Sequence, residues 1–204
     1  MIRAMSPAAS FRLLRSLLFA ALLGGCALLP PETSPSGGRN AQGGTARGQR
    51  PAGPVDPEIT SDCGISHLRD SILRQINIAR ASARSCGPRR MQPAPALAWN
   101  RALAEAAEQH SVDMTVRRYF DHASPDGKRV SQRVLAQGYR WRIVGENLAG
   151  GDTTVAGVIA GWLHSPEHCE NLMNPAYADV GVSCVRQIGS QWGTYWTMVL
   201  ATRR

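Results

Sequence analysis

Among its 204 residues the chain has one lysine, Lys128, and that lysine stands outside any GxxxxGK[ST] string, so a Walker-type phosphate loop is excluded. No GxSxG string is present, which removes the serine-hydrolase elbow. No CxxC spacing occurs either, so a thiolate zinc knuckle and a thioredoxin-like centre lack their basic element. Aromatic residues make up only 6% of the chain and none lies between Phe19 and Trp99, so a core must be built mainly from the second half. No apolar run reaches the roughly 20 residues that a membrane-spanning helix needs. Internal repeats and heptads are also lacking.

What is present at the N-terminus reads as an address. Arg3, Arg12 and Arg15 precede an apolar run over 17–23, followed by Leu23-Gly24-Gly25-Cys26. Small residues before a cysteine resemble the lipobox of bacterial lipoproteins, which implies a signal peptide over 1–25 and lipidation of Cys26. An ordinary signal peptide or a short buried helix is the alternative. From Pro30 to Pro57 there are six prolines, six glycines and almost no large apolar residue. That composition cannot offset the entropy of ordering, so 26–57 is expected to be a flexible tether. The remaining residues, 58–204, suffice for one domain with a substantial core.

The formal charge of +8 shrinks once it is divided among these segments. Without the leader's three arginines the chain carries +5, and without the tether +4. The basic pairs Arg89-Arg90, Arg117-Arg118, Lys128-Arg129 and Arg203-Arg204 are scattered and surround no nucleic-acid module, so no nucleic-acid partner is expected. With Cys26 assigned to lipid, Cys63, Cys86, Cys169 and Cys184 form an even set suited to two disulfides in an oxidising compartment. Three pairings are possible. Nearest-neighbour pairing, Cys63 with Cys86 and Cys169 with Cys184, fits the elements read next.

Ile65, Leu68, Ile72, Ile76 and Ala79 recur at helical spacing, predicting a helix over 66–84 stopped by Gly87-Pro88. Asn100 can cap a second helix ending near Arg118, with Leu103, Ala106, Ala107, His110 and Met114 on one stripe. After the turn Ser124-Pro125-Asp126-Gly127, a short helix is expected over 130–137. Asp152 can cap a fourth, in which Val155, Val158, Ile159, Trp162 and Leu163 form the clearest amphipathic stripe. Residues 180–184 and 196–200 read as a hairpin turned near Gly189-Ser190, and 144–149 as a third strand. The pattern is α+β, with helices on both sides of a small antiparallel sheet.

Two strings invite chemistry. His168-Cys169 suggests a thiol protease, but adjacent side chains on a helix diverge. His164-Ser165-Pro166-Glu167-His168 matches HxxEH, the helical zinc-peptidase string, yet Ser165 as N-cap and Pro166 at the first helical position should start a new helix and separate the histidines. His67 and His164 are expected at the surface and His110 in the core.

Five spaced segments carry a resemblance: His110-Ser111-Val112-Asp113-Met114, the run from Tyr119 to Gly127, Gly145-Glu146-Asn147-Leu148-Ala149, the run from Trp162 to Asn171, and Tyr195-Trp196-Thr197-Met198-Val199. In this order they resemble the CAP superfamily of cysteine-rich secretory, antigen 5 and pathogenesis-related proteins, and its bacterial SCP-like branch in particular. The resemblance spans residues 66–201. It implies a three-layer α-β-α sandwich with a small antiparallel sheet and a cleft lined by histidine and acid, able in some members to hold a divalent metal. By position, the cleft residues are His122, Glu146 and His168. The chain departs from the animal and plant pattern at Ser165, where a second acid is expected, and at Thr194, where a histidine is.

His122, Glu146 and His168 would form a set of two imidazoles and a carboxylate suited to Zn or another divalent metal; the alternative is a polar cluster in which Glu146 orients both rings. The expected protein is a lipid-anchored, extracytoplasmic module of the bacterial cell envelope. It has no catalytic residue and binds a small hydrophobic ligand, an envelope polymer or a protein. The competing expectation is a metal-dependent hydrolase acting on peptide or cell-wall bonds.

Overall fold

The computed structural model describes residues 59–204; the expected signal peptide, Cys26 and the tether lie outside them. In chain order the strands are β1 (Ile59–Ser61), β2 (Arg84–Cys86), β3 (Arg89–Met91), β4 (Ala98–Trp99), β5 (Trp141–Gly150), β6 (Asp179–Gln187) and β7 (Thr194–Arg203). The helices are α1 (Leu68–Arg80), α2 (Arg101–Arg117), α3 (Val130–Ala136), α4 (Val155–His164) and α5 (Pro166–Leu172). None of these helices is long and apolar enough to cross a membrane.

The antiparallel sheet runs β1-β6-β7-β5, and β4 adds to β6 in parallel beyond the end of β1. Two-residue alternation on β7 divides the core. Trp196, Met198 and Leu200 face α1, α4 and α5, joining Ile72, Ile76, Val158, Trp162 and Leu172, all fully or almost fully buried. Val199 and Ala201 face the other way, onto Leu103, Ala106 and Ala107 of α2 and Val134 of α3. The result is the expected α+β sandwich: one sheet with a helical layer on each face.

At Gly181 the α2 backbone lies directly on the sheet. A Cβ there would come 2.1 Å from the Ala104 nitrogen and 2.3 Å from the Leu103 carbonyl carbon. Only a bare α-carbon permits this approach, which sets the depth of α2 against β6.

Several local expectations are corrected. The first helix ends at Arg80, not Arg84, because the following residues form the β2–β3 hairpin, in whose turn Gly87 adopts φ +56°. Thr154, not Asp152, caps α4 by accepting the Gly157 N–H at 3.0 Å. The carbonyl of Asp152 is held by Trp196 Nε1 and Thr194 Oγ1, each at 2.8 Å. Asn100 caps α2 as expected, accepting from the Ala102 and Leu103 N–H groups.

All four expected cysteines are paired, but not with sequence neighbours: the bridges are Cys63–Cys184 and Cys86–Cys169. β1 pairs with the C-terminal half of β6 (Ser61 opposite Val185), which carries Cys63 to Cys184. Cys86, at the end of β2, packs against α5 and meets Cys169. The separations of 121 and 83 residues correspond to roughly 4.5–5 kcal/mol each in the chain-entropy picture, against about 3 for a 15-residue loop.

Peptide mapping without reduction is expected to recover Cys63 linked to Cys184 and Cys86 to Cys169; a Cys63–Cys86 peptide would contradict the topology. Gly181→Ala should lower stability by about 1–3 kcal/mol or more, read as a lower midpoint in calorimetric melting.

Candidate functional site

β5 is an edge strand of the sheet, so elements from both helical layers can reach it. Its alternation sends Glu146 and Leu148 toward α2, and Gly145 and Asn147 toward α5. Glu146 is buried. Its Oε2 accepts from Arg133 of α3 at 2.7 Å, and its Oε1 accepts from His122 Nδ1 at 2.9 Å. Arg133 also donates to the carbonyls of Lys128 at 2.9 Å and His122 at 3.2 Å, so one guanidinium fixes the carboxylate and the loop that carries His122. The buried Nε of Arg133 has no protein partner.

Fully buried His110 of α2 lies behind this group, its Nε2 3.0 Å from the Asp121 carbonyl and 4.0 Å from Glu146 Oε1. Since the carbonyl only accepts, the proton is assigned to Nε2. A cavity of about 220 Å³ borders His110, Arg133, Asp113 and Lys128. A wider depression of about 500 Å³ lies along the outer face of α2, between Glu105 and Val116, and includes none of the cleft residues.

On the other face, Asn147 and Asn171 fasten α5 to β5. Asn147 Nδ2 donates to the His168 carbonyl at 2.9 Å, Asn171 Nδ2 donates to Asn147 Oδ1 at 2.8 Å, and Tyr177 OH donates to Asn171 Oδ1 at 2.9 Å. Gly145 makes room for this network, since a Cβ there would stand 2.2 Å from the Tyr177 hydroxyl. His168 is thereby held at the cleft edge, near enough for charge on His122 to act on it.

The hydrogen bond to Glu146 raises the His122 pKa above the ordinary histidine value. Burial, reinforced by the neighbouring His122 charge, lowers that of His168. Burial likewise lowers that of His110. Tyr119, partly buried and donating to Asp113 Oδ2 at 2.6 Å, is pushed up to about 12.

Of the three expected cleft residues, His122 and Glu146 are in contact, and the His168 side chain bonds neither of them. His164 ends α4 on the exposed side with Nδ1 directed to the Ala160 carbonyl at 2.7 Å, and the chain breaks at Ser165 before Pro166 opens α5. The HxxEH string is therefore split between two helices. Thr194 is buried and committed to the Asp152 carbonyl. Sequence reasoning missed Arg133, although a signal existed: a carboxylate on a buried strand face needs a counter-charge, and Arg133 is the one basic residue in the segment 130–137.

The residues present do not fit a three-ligand metal centre. Both oxygens of Glu146 are engaged, one by a guanidinium that would repel a divalent cation. Among the described residues, no group of three or more His, Cys, Asp or Glu side chains converges as a metal site. His122 instead bonds through Nδ1, leaving Nε2 for whatever enters the cleft.

The model of the cysteine-rich secretory protein family, CAP, matches residues 73–200. The chain belongs to the CAP family. An uncharacterized protein of Bacillus subtilis, YkwD, is 34% identical over 90 residues, which are 44% of this chain and 35% of the relative. The chain thus spans about a third of that protein's length. The crystal structure of an extracellular SCP-domain protein from Bacillus anthracis aligns with a TM-score of 0.54 at 26% identity, covering 66% of this CAP chain and 40% of the other. An outer surface protein from Borrelia burgdorferi aligns with a TM-score of 0.55, covering 67% of this chain and 92% of the other; at 18% identity it speaks to the fold alone.

Histidine NMR titration is expected to place His122 above, and His110 and His168 below, the ordinary value. Glu146→Gln should lower His122, and His122→Ala should raise His168. The sign for stability follows from linkage. The His122–Glu146 contribution is fully present below the unfolded histidine pKa of about 6.5 and is lost as pH rises through the higher folded value. Protonation of His110 and His168 costs stability as pH falls below about 6.5. Arg133→Met should cost roughly 3–5 kcal/mol by leaving Glu146 buried without its cation.

Proposed function

We propose that this CAP domain is a non-catalytic binding module of the bacterial cell envelope, held outside the cytoplasm by lipid on Cys26 and a tether over 26–57, with the domain proper at 58–204. That the similar Bacillus anthracis SCP-domain protein is extracellular supports the location. The carrying observation for the function is the commitment of Glu146 to Arg133 and His122 at 2.7 and 2.9 Å. A carboxylate locked in this way orients an imidazole; it is not free to act as a general base. What the cleft offers is the outward edge of His122, favoured in its charged form, beside the less basic His168. Such an edge hydrogen-bonds an anionic or polar group on a small hydrophobic ligand, an envelope polymer or a protein.

The competing metal-dependent hydrolase requires Glu146 to leave Arg133. Zinc titration of the purified protein followed by calorimetry, with peptide and cell-wall turnover measured with and without chelator, separates the two readings. The expected outcome is weak zinc binding, diminished further below about pH 6.5 by proton competition at the imidazoles, and no chelator-sensitive turnover. His168→Ala should reduce whatever binding exists and His164→Ala should not. Tight zinc binding with chelator-sensitive hydrolysis, both lost in His122→Ala, would overturn the binding-module reading.

A further inference from the structure

Seven large hydrophobic side chains are exposed among the described residues, and four of them lie at one end of the sandwich. Ile188 is 76% exposed and Trp192 41%, both in the loop joining β6 to β7; Phe120, 37% exposed, follows α2; Ile59, 39% exposed, opens β1. Phe120 and Trp192 pack with ring centroids 5.2 Å apart, and buried Tyr195 backs Phe120 at 6.4 Å. Trp192 is seated over Gly150, where a Cβ would meet its ring at 3.1 Å. The aromatic pair is thus supported by the sheet end, and its outer surface remains open. Exposed Arg118 shares with Ile188 a groove of about 480 Å³ at the same end.

Ile59 pairs with Gln187, the last residue of β6 before this loop. The preceding chain therefore joins the domain at the apolar end. Ile59 lies thirty-three positions after Cys26, giving a reach of at most about 110–120 Å. An anchor of that reach keeps the domain near the bilayer at high effective concentration, where a modest patch suffices for contact.

We propose that this end, through Phe120, Ile188 and Trp192 with Arg118 beside them, docks on an anionic phospholipid surface. Tryptophan at the headgroup level, aliphatic and phenyl groups beneath it, and arginine toward lipid phosphate match the chemistry of that interface. The proposal rests on the lipid-anchor reading for its geometry, but the contact itself is separable from the anchor.

The test uses the processed full chain, acylated or carrying Cys26→Ser, with phosphatidylglycerol–phosphatidylethanolamine vesicles. In vesicles with brominated acyl chains, the acylated protein should show quenched tryptophan emission, and Trp192→Phe should abolish the quenching, because Trp162 and Trp196 are buried and half-buried Trp99 and Trp141 lie at the opposite end of the sheet, beside Val180 and Arg203. The Cys26→Ser chain should co-sediment weakly with the vesicles, and Ile188→Ser and Phe120→Ser should each weaken that binding roughly tenfold. Unchanged melting midpoints would exclude misfolding. Protein found in the membrane fraction without quenching would overturn the docking and leave the anchor intact. Protein absent from the membrane fraction would overturn the anchor; vesicle binding by Cys26→Ser then supports docking, and its absence overturns it. Binding of Cys26→Ser to insoluble wall polymer through these side chains, with none to vesicles, would assign the surface to the polymer and overturn the lipid proposal.

Discussion

A single buried carboxylate on an edge strand ties the cleft together. Glu146 could not be held away from water without a counter-charge, and Arg133 supplies it at 2.7 Å. The same guanidinium bonds the carbonyls of His122 and Lys128, so one ion pair fixes β5, α3 and the loop between α2 and α3. His122 is oriented last, through its remaining contact with Glu146. The charge that stabilises the fold is therefore the charge that prepares the site.

A second buried cation does comparable work across the sheet without any carboxylate. Arg80, fully buried, donates to the carbonyls of Pro95 at 2.9 Å, Leu172 at 2.6 Å and Asn174 at 3.1 Å. Two of these belong to the end of α5, where unpaired helix carbonyls concentrate partial negative charge. Burial lowers the Arg80 pKa, but a guanidinium stays protonated at any physiological pH. Arg80 at the C-terminus, the Asn147–Asn171 network along the side and the Cys86–Cys169 bridge together immobilise the short helix that presents His168.

What was legible in the sequence depended on range. The stripes through Ile72 and Ile76, and through Val158, Ile159 and Trp162, marked α1 and α4 because their partners lie at helical spacing. The β6–β7 hairpin followed from alternation and a nearby glycine. His122 and Glu146 came from resemblance of short strings, and the edge strand does bring them together. Pairings over long separations were not legible. Cys63 and Cys184 meet only because β1 joins β6, a register that no local pattern encodes. Arg133 lies 13 residues from Glu146 on a different kind of element, so periodicity relates neither to the other. The β2–β3 hairpin, three residues per strand and mostly polar, offered too little alternation to distinguish it from the end of a helix.

The bridge connectivity has a consequence for how the domain is made. One bridge is nested inside the other, and both join an early cysteine to a late one. In a chain that enters an oxidising compartment N-terminus first, Cys63 and Cys86 emerge together, 23 residues apart, well before Cys169 and Cys184. A bridge closed at that stage could only be a non-native one, and thiol–disulfide exchange would have to undo it before Cys63 could pair with Cys184. Both native bridges thus wait for cysteines more than 80 residues downstream of their partners.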